Sequence, residues 1–245
     1  MKSLGLSSSQ RARGLWGTLV GLAIILASGP SHALYREGAL WPKSADGITR
    51  IPVCFIFSGE LTYDEDARER ALVKEVLTAT WGRWMKIEFT GFDTCSNPPA
   101  NSTLAIALKF CNNCGGAGDI PDQKKHTPYH RGFQGSNTPT WGVLWINGVS
   151  DRRARAVITH EVGHGLSFEH EQSRPDAAGF CPDGDEPLPG TIVTPEYDDI
   201  AIMNYCGPGA YPSRLDIQGA QTLYGTSAAG LWLNALPAIS HLPLL

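Results

Sequence analysis

The chain of 245 residues has no block of like charge, no basic stripe interleaved with aromatic residues, no internal repeat and no long low-complexity segment. A formal net charge of −4 gives no long-range pull on a polyanion, so nucleic acid is not an expected partner. Without a run of like charge there is also no sign of a charged, disordered interaction tail. The apolar stretch "GLWGTLVGLAIILA" at residues 14–27 is shorter than the roughly 20 residues a membrane span needs. The tail after Gly225 is interrupted by Pro, Asn and Ser, so it offers no anchor either. What remains, at 42% hydrophobic residues, is enough for one sizeable domain or two small lobes sharing a core.

Residues 1–33 have the layout of an export signal. Lys2, Arg11 and Arg13 give a positive start, residues 14–27 the apolar middle, and "SHA" at 31–33 a small residue at the cleavage point. The mature chain is then expected to begin near Leu34 and to be secreted, or periplasmic in a bacterium. All six cysteines lie in the mature part, and an even number in an oxidising compartment predicts disulfides. Spacing leaves the connectivity open; the expected pairs are Cys54–Cys95, Cys111–Cys114 and Cys181–Cys206. "CNNC" at 111–114 also has redox spacing, but the βαβ setting of a thioredoxin-like domain is missing.

"ITRIPVCFIF" at 48–57 predicts a strand, followed by an amphipathic helix from about Tyr63 to Trp84 with Thr62 and Glu65 at capping-box spacing. "KIEF" at 86–89, "TLAIALKF" at 103–110 and "WGVLWIN" at 141–147 predict further strands, the second with alternating Leu104, Ile106, Leu108 and Phe110. Residues 111–140 are loop-like. Asp151 is the expected N-cap of a second long helix, and a last helix is expected around Asp216 to Leu223. Mixed elements in this order predict an α+β or three-layer first half, with a Pro- and Gly-rich, smaller second lobe after His170.

"HEVGHGLSFEHEQSRPD" at 160–176 carries the chemistry. His160 and His164 are four apart, so a helix places both on one face, about 5–6 Å apart at Cβ. Neutral imidazole is a good zinc ligand, and Glu161 beside the first histidine can reach a water at the metal rather than the metal itself. A catalytic zinc needs three protein ligands, and His170 can be the third if the helix stops and the chain turns back. Gly165 is the expected stop, since glycine accepts positive φ. "HTPYH" at 126–130 repeats the spacing, but Pro128 between its histidines breaks a helix, so it is expected to be loop. "NST" at 101–103 fits a glycosylation acceptor, and "DGDEP" at 183–187 is expected to be a solvated acidic turn rather than a calcium loop.

The 160–176 stretch resembles the zinc-binding segment of the metzincin metallopeptidases, HExxHxxGxxH, and "FEHEQSRPD" is nearest the astacin branch. "YDDIAIMNYC" at 197–206 is similar to the astacin methionine turn, with a tyrosine two residues after the methionine. "PSRLDIQGAQTLYG" at 212–225 resembles the closing helix, and "LWP" at 40–42 and "RWMKIEFTGFDTC" at 83–95 resemble the first two strands. The resemblance runs from about Leu40 to Gly225. It implies a zincin-like α+β fold: a twisted mixed sheet and two long helices in an N-terminal lobe (34–170), with a small irregular C-terminal lobe (171–245) across an active-site cleft. It implies one Zn2+ per chain on His160, His164 and His170, Glu161 as general base, Met203 as a floor beneath the metal, and Tyr205 as a residue that can ligate zinc and then bond the oxyanion. Glu171 matches the glutamate that pairs with the mature N-terminus in astacins.

Ser167 stands where the family has glycine, in a slot that needs a left-handed backbone costing about 1–2 kcal/mol. Asn204 stands where the astacin turn usually has histidine, and no matrixin-type cysteine switch is present. The implied function is a secreted, monomeric zinc endopeptidase acting on protein or peptide, with substrate extended along an edge supplied by residues 129–134. Two other functions stay open on sequence: a matrixin-like peptidase in which Tyr205 plays no part, and a catalytically silent metzincin-like domain that only holds a peptide. A thiol oxidoreductase built on Cys111 and Cys114 comes last.

Overall fold

The computed structural model describes residues 34–36, 39–56, 61–95, 106–110, 140–144, 150–177, 181, 190–193, 196–207, 209 and 211–235. The expected export signal at 1–33, Cys111 and Cys114, the two histidines of "HTPYH", the "NST" and "DGDEP" segments and the expected substrate edge at 129–134 lie outside them.

β1 is Tyr35–Arg36, and β2 (Thr49–Ile56) is the strand rich in β-branched and aromatic side chains. Helices α1 (Tyr63–Ala79) and α2 (Trp81–Trp84) lead to β3 (Ile87–Thr94), β4 (Ile106–Phe110) and β5 (Thr140–Leu144). α3 (Asp151–Gly165), a 3-10 turn at Glu171–Ser173, β6 (Thr191–Ile192), α4 (Arg214–Tyr224) and α5 (Ala228–Ala235) complete the order.

Among the described residues four central strands lie in the order β3-β2-β4-β5, and each pairing between them is parallel. The antiparallel pairing belongs to a separate ribbon, in which Tyr35 faces Ile192 and Arg36 faces Thr191. Parallel strands are joined by crossovers that cover the sheet, which explains a departure from the alternation expected for β4. Ile106, Ala107 and Leu108 are buried in succession, because both faces are covered. β3 also runs past the expected "KIEF" to Thr94, with a register shift opposite Val53 and Cys54. The disulfide Cys54–Cys95 forms where β3 ends beside β2.

The single helix expected from Tyr63 to Trp84 is two helices. The Thr62–Glu65 capping box is present, but at Thr80 the backbone leaves the helical region, at φ −105 and ψ −101. The Thr80 hydroxyl donates to Val76 O at 2.7 Å, sharing the carbonyl that the Thr80 N–H also uses. Trp81 is fully buried just beyond, and its Nε1–H donates to Thr159 O of α3 at 2.9 Å. α1 packs over β3, α3 packs over β5, and the two long helices touch each other.

Their shared core joins Val73, Val76 and Leu77 to Ile51, Val53 and Phe55 and to Ile158 and Val162. Trp81 meets Phe168 edge-on at 5.3 Å, and Phe168 meets Tyr224 at 6.2 Å, so the core continues to α4.

α4 is three residues longer than expected and is capped by Ser213 with Asp216, a second capping box. α5 was not expected at all. Gly230 lets its first turn lie against Trp84 O and the Gln221 amide, where a Cβ would have no room. Among the described residues no helix is long and apolar enough to cross a membrane.

Candidate metal centre

α3 is capped one residue earlier than expected. Ser150 accepts from Arg153 N–H, while Asp151 is the first helical residue, where its charge favours the helix start and its Oδ2 accepts from Arg155 Nε at 2.9 Å. One face of the helix, Ala154, Ile158 and Val162, is buried in the core. His160 and His164 follow on its last two turns, with ring centroids 4.9 Å apart.

The helix does not end at Gly165 by positive φ, as expected; Gly165 is its last helical residue. Its small size serves a close approach instead, since a Cβ there would lie 2.9 Å from Ile106 Cδ1. The left-handed residue is Ser167, at φ 74. Ser167 N–H donates to His164 O at 2.8 Å and Phe168 N–H to Gly163 O at 3.0 Å, the bond pair of a Schellman motif. The Ser167 hydroxyl donates to Ala39 O at 2.6 Å, which offsets the left-handed cost.

Ser167→Ala keeps the backbone cost and loses the bond. Equilibrium denaturation is therefore expected to show a loss of about 1–2 kcal/mol, with a smaller loss for Ser167→Gly.

This turn brings His170 back beside the other two histidines. His164 Nε2 and His170 Nε2 are 3.1 Å apart. One ring nitrogen from each of His160, His164 and His170 lies within 4.8 Å of the other two. His164 and His170 are buried, and His160 is half-buried.

The outer nitrogens are held. His160 Nδ1 bonds Ile202 O at 2.8 Å and His164 Nδ1 bonds Phe168 O at 2.7 Å. A carbonyl can only accept, so Nδ1 is the protonated nitrogen in both rings and Nε2 keeps its lone pair. Two such nitrogens on one tetrahedral ion at about 2.0–2.1 Å sit about 3.3 Å apart, so the observed separation suits a shared ion. Three imidazoles with no thiolate match a catalytic zinc set, and the residues present fit the group.

Glu161 follows His160 on the same helix, and burial pushes its carboxyl up to about 8, with Arg153 pulling weakly the other way. A divalent cation nearby would favour the ionised form.

Met203 is fully buried beneath this turn of α3. A Cβ on Gly163 would lie 2.5 Å from Met203 Sδ, so the glycine is what lets the methionine sit there. Tyr205, two residues on, is 58% exposed, and its ring lies 4.2 Å from His170 and 5.5 Å from His160. The disulfide Cys181–Cys206 ties the next residue across 25 positions.

Glu171 is buried, and its Oε1 accepts from Arg174 Nη1 at 2.8 Å and from Asp198 N–H at 3.0 Å. Burial pushes the Glu171 carboxyl up to about 7 against the pull of Arg174.

Asp216 was expected only as the start of the last helix. It is fully buried, and its Oδ2 accepts from Ile202 N–H at 2.7 Å and Ser213 N–H at 2.8 Å. It thus ties α4 to the residue whose carbonyl holds His160. The Ser213/Asp216 capping-box spacing is the signal that could have found it.

Burial, then the nearby Asp198, holds the Asp216 carboxyl well above the usual carboxylate range, with Glu171 adding to the push. Arg174 is the cation facing this group of acids, pulling on both Glu171 and Asp198. A folded pKa above the unfolded one means that stability is greatest in acid and is lost as pH rises past about 4. Asp216→Asn cannot ionise. Its melting temperature is expected to gain on the wild type between about pH 5 and pH 8, and a constant difference would contradict this.

No family model matches the sequence, and no curated protein matches it. Among solved structures the chain is similar to high choriolytic enzyme 1, a hatching enzyme zinc-protease from the medaka fish Oryzias latipes. The identity is 17% and the TM-score 0.47, covering 77% of this chain and 95% of that one. It is also similar to myroilysin, at 19% identity and a TM-score of 0.47 over 76% of this chain and 95% of that one. A crystal structure of myroilysin gives 20% identity and a TM-score of 0.44, over 76% and 85%.

Proposed function

We propose that the chain is a zinc-dependent endopeptidase of the metzincin type, nearest the astacins, acting outside the cytoplasm as a monomer on protein or peptide substrates. The observation that carries this is the convergence of three imidazole nitrogens within 4.8 Å, with Glu161 next to the first of them on one helix. Two disulfides among the described residues support an oxidising compartment, in keeping with an export signal at 1–33.

His160, His164 and His170 would hold one zinc. When bound, zinc supplies Lewis acidity, polarising the scissile carbonyl and making a water more acidic. Glu161 takes the proton of the attacking water and returns it to the departing amine, so one carboxyl serves as base and then acid. The Tyr205 hydroxyl, on an exposed ring beside His170, donates to the oxyanion that develops on the carbonyl; losing such a donor costs about 3–4 kcal/mol of transition-state stabilisation. Ile202 O and Phe168 O keep two imidazoles in the tautomer that presents Nε2. No covalent intermediate is needed.

The purified chain from Leu34 onward is expected to cleave an unfolded protein such as casein, to stop on treatment with a zinc chelator and to resume when zinc is restored. Hydrolysis indifferent to the chelator would overturn the proposal. Zinc binding with no hydrolysis would turn it towards a silent peptide-binding domain.

A further inference from the structure

The segment after His170 is laced to the methionine turn by two rungs. Glu171 N–H donates to Met203 O at 2.9 Å, and Tyr205 N–H donates to Gln172 Oε1 at 3.1 Å. The first rung is backbone to backbone and indifferent to side chain. The second depends on one amide. Gln172 is 5% exposed, and its Nε2 is buried with no acceptor among the described residues, so the Tyr205 bond is what orients the group.

On the other side of Tyr205, Cys206 N–H donates to Asn204 Oδ1 at 3.0 Å and the Cys206 sulfur is bonded to Cys181. The Tyr205 backbone is therefore held on both sides while its ring remains 58% exposed beside His170.

We infer that Gln172 is a positioning residue for Tyr205: its carbonyl holds the Tyr205 backbone against the segment that carries His170, so the hydroxyl moves by rotation of the ring and not by a swing of the turn. The inference rests on the proposed peptidase function, in which the Tyr205 hydroxyl donates to the oxyanion, and on the ring lying 4.2 Å from His170, within reach of a metal held there. Sequence spacing carries no sign of it, because residues 172 and 205 meet only through the fold.

Two variants separate the bond from the bulk of the side chain. Gln172→Met keeps the length and removes the acceptor, whereas Gln172→Glu keeps an acceptor oxygen. Zinc-loaded protein reports peptide hydrolysis. Protein loaded with Cu(II) reports contact between the Tyr205 phenolate and the metal as a charge-transfer absorption.

Gln172→Met is expected to lower kcat about three- to tenfold, with KM within about twofold, and to weaken the absorption. Gln172→Glu is expected to recover most of both. In a Tyr205→Phe background, Gln172→Met is expected to change kcat by less than about twofold, since the group it positions is gone.

Equal losses in both backgrounds would overturn the inference, as would an absorption and a kcat that Gln172→Met leaves unchanged. An absorption missing from the wild type also overturns it, because Tyr205 would then not meet the metal. A wild type that shows the absorption but hydrolyses no peptide removes the peptidase proposal alone, and the effect of Gln172→Met on the absorption still decides the positioning role.

Discussion

Glu161→Gln is expected to lower hydrolysis by about a hundredfold to ten-thousandfold while leaving zinc on the protein. The substitution keeps the shape of the side chain and the helical position beside His160, and it touches none of the three imidazoles. What it removes is the only group on the turn that can take a proton from water and give it back. Glu161 is half-buried and desolvation raises its carboxyl, so the neutral amide also removes part of that cost. The variant is therefore expected to fold at least as well as the wild type in the absence of metal. Metal content by elemental analysis and the melting temperature separate this outcome from simple damage. Loss of zinc together with activity would contradict the assigned role, because Glu161 would then be holding the site rather than acting in it.

Arg174→Met is expected to cost about 3–5 kcal/mol of folding stability, the largest structural loss among the predicted variants. The Arg174 side chain is completely buried. It pairs with Glu171 at 2.8 Å and with Asp176 at 2.9 Å, and it donates to Glu196 O at 2.6 Å. Asp176 is partly open to solvent and tolerates the loss, but the side chain of Glu171 is 1% exposed and would lose its cation, so it must either stay ionised in a buried site or take up a proton and give up its charge-assisted bonds. Glu171 follows His170 and bonds Met203 O through its backbone, so the damage is expected to reach the third ligand.

The double variant Arg174→Met with Glu171→Gln is expected to recover a large part of the loss in equilibrium denaturation. No recovery would mean that Arg174 acts through Glu196 and Asp176 instead.

The parts of the molecule legible in the sequence are those fixed by local rules. The His160/His164 spacing needs only a helix, the Thr62–Glu65 box needs only three residues, and the face of α1 needs only its period. The order of motifs placed Met203 and Tyr205 near the histidines, and Cys54–Cys95 and Cys181–Cys206 formed as expected.

What escaped the sequence depends on contacts far apart in the chain. Thr80 ends α1 because Trp81 is drawn to Thr159 O, 78 residues on. Gly163 and Gly165 look like helix breakers, yet both stay helical because Met203 and Ile106 need their space. Ser167, the residue that departs from the family glycine, is the one that takes the left-handed backbone, with Ala39 O supplying the compensation. Asp216 reads as an ordinary cap residue until the methionine turn folds onto α4.

The proposed peptidase stands or falls on whether His160, His164 and His170 hold one zinc. The most direct measurement is the metal content of the purified chain, taken alongside a His164→Ala variant that is shown to be folded. One zinc per chain is expected in the wild type, with an affinity in the variant reduced far enough that dialysis strips the metal. A wild type without zinc, or a variant that keeps it at full stoichiometry, would contradict the three-histidine centre and the function built on it.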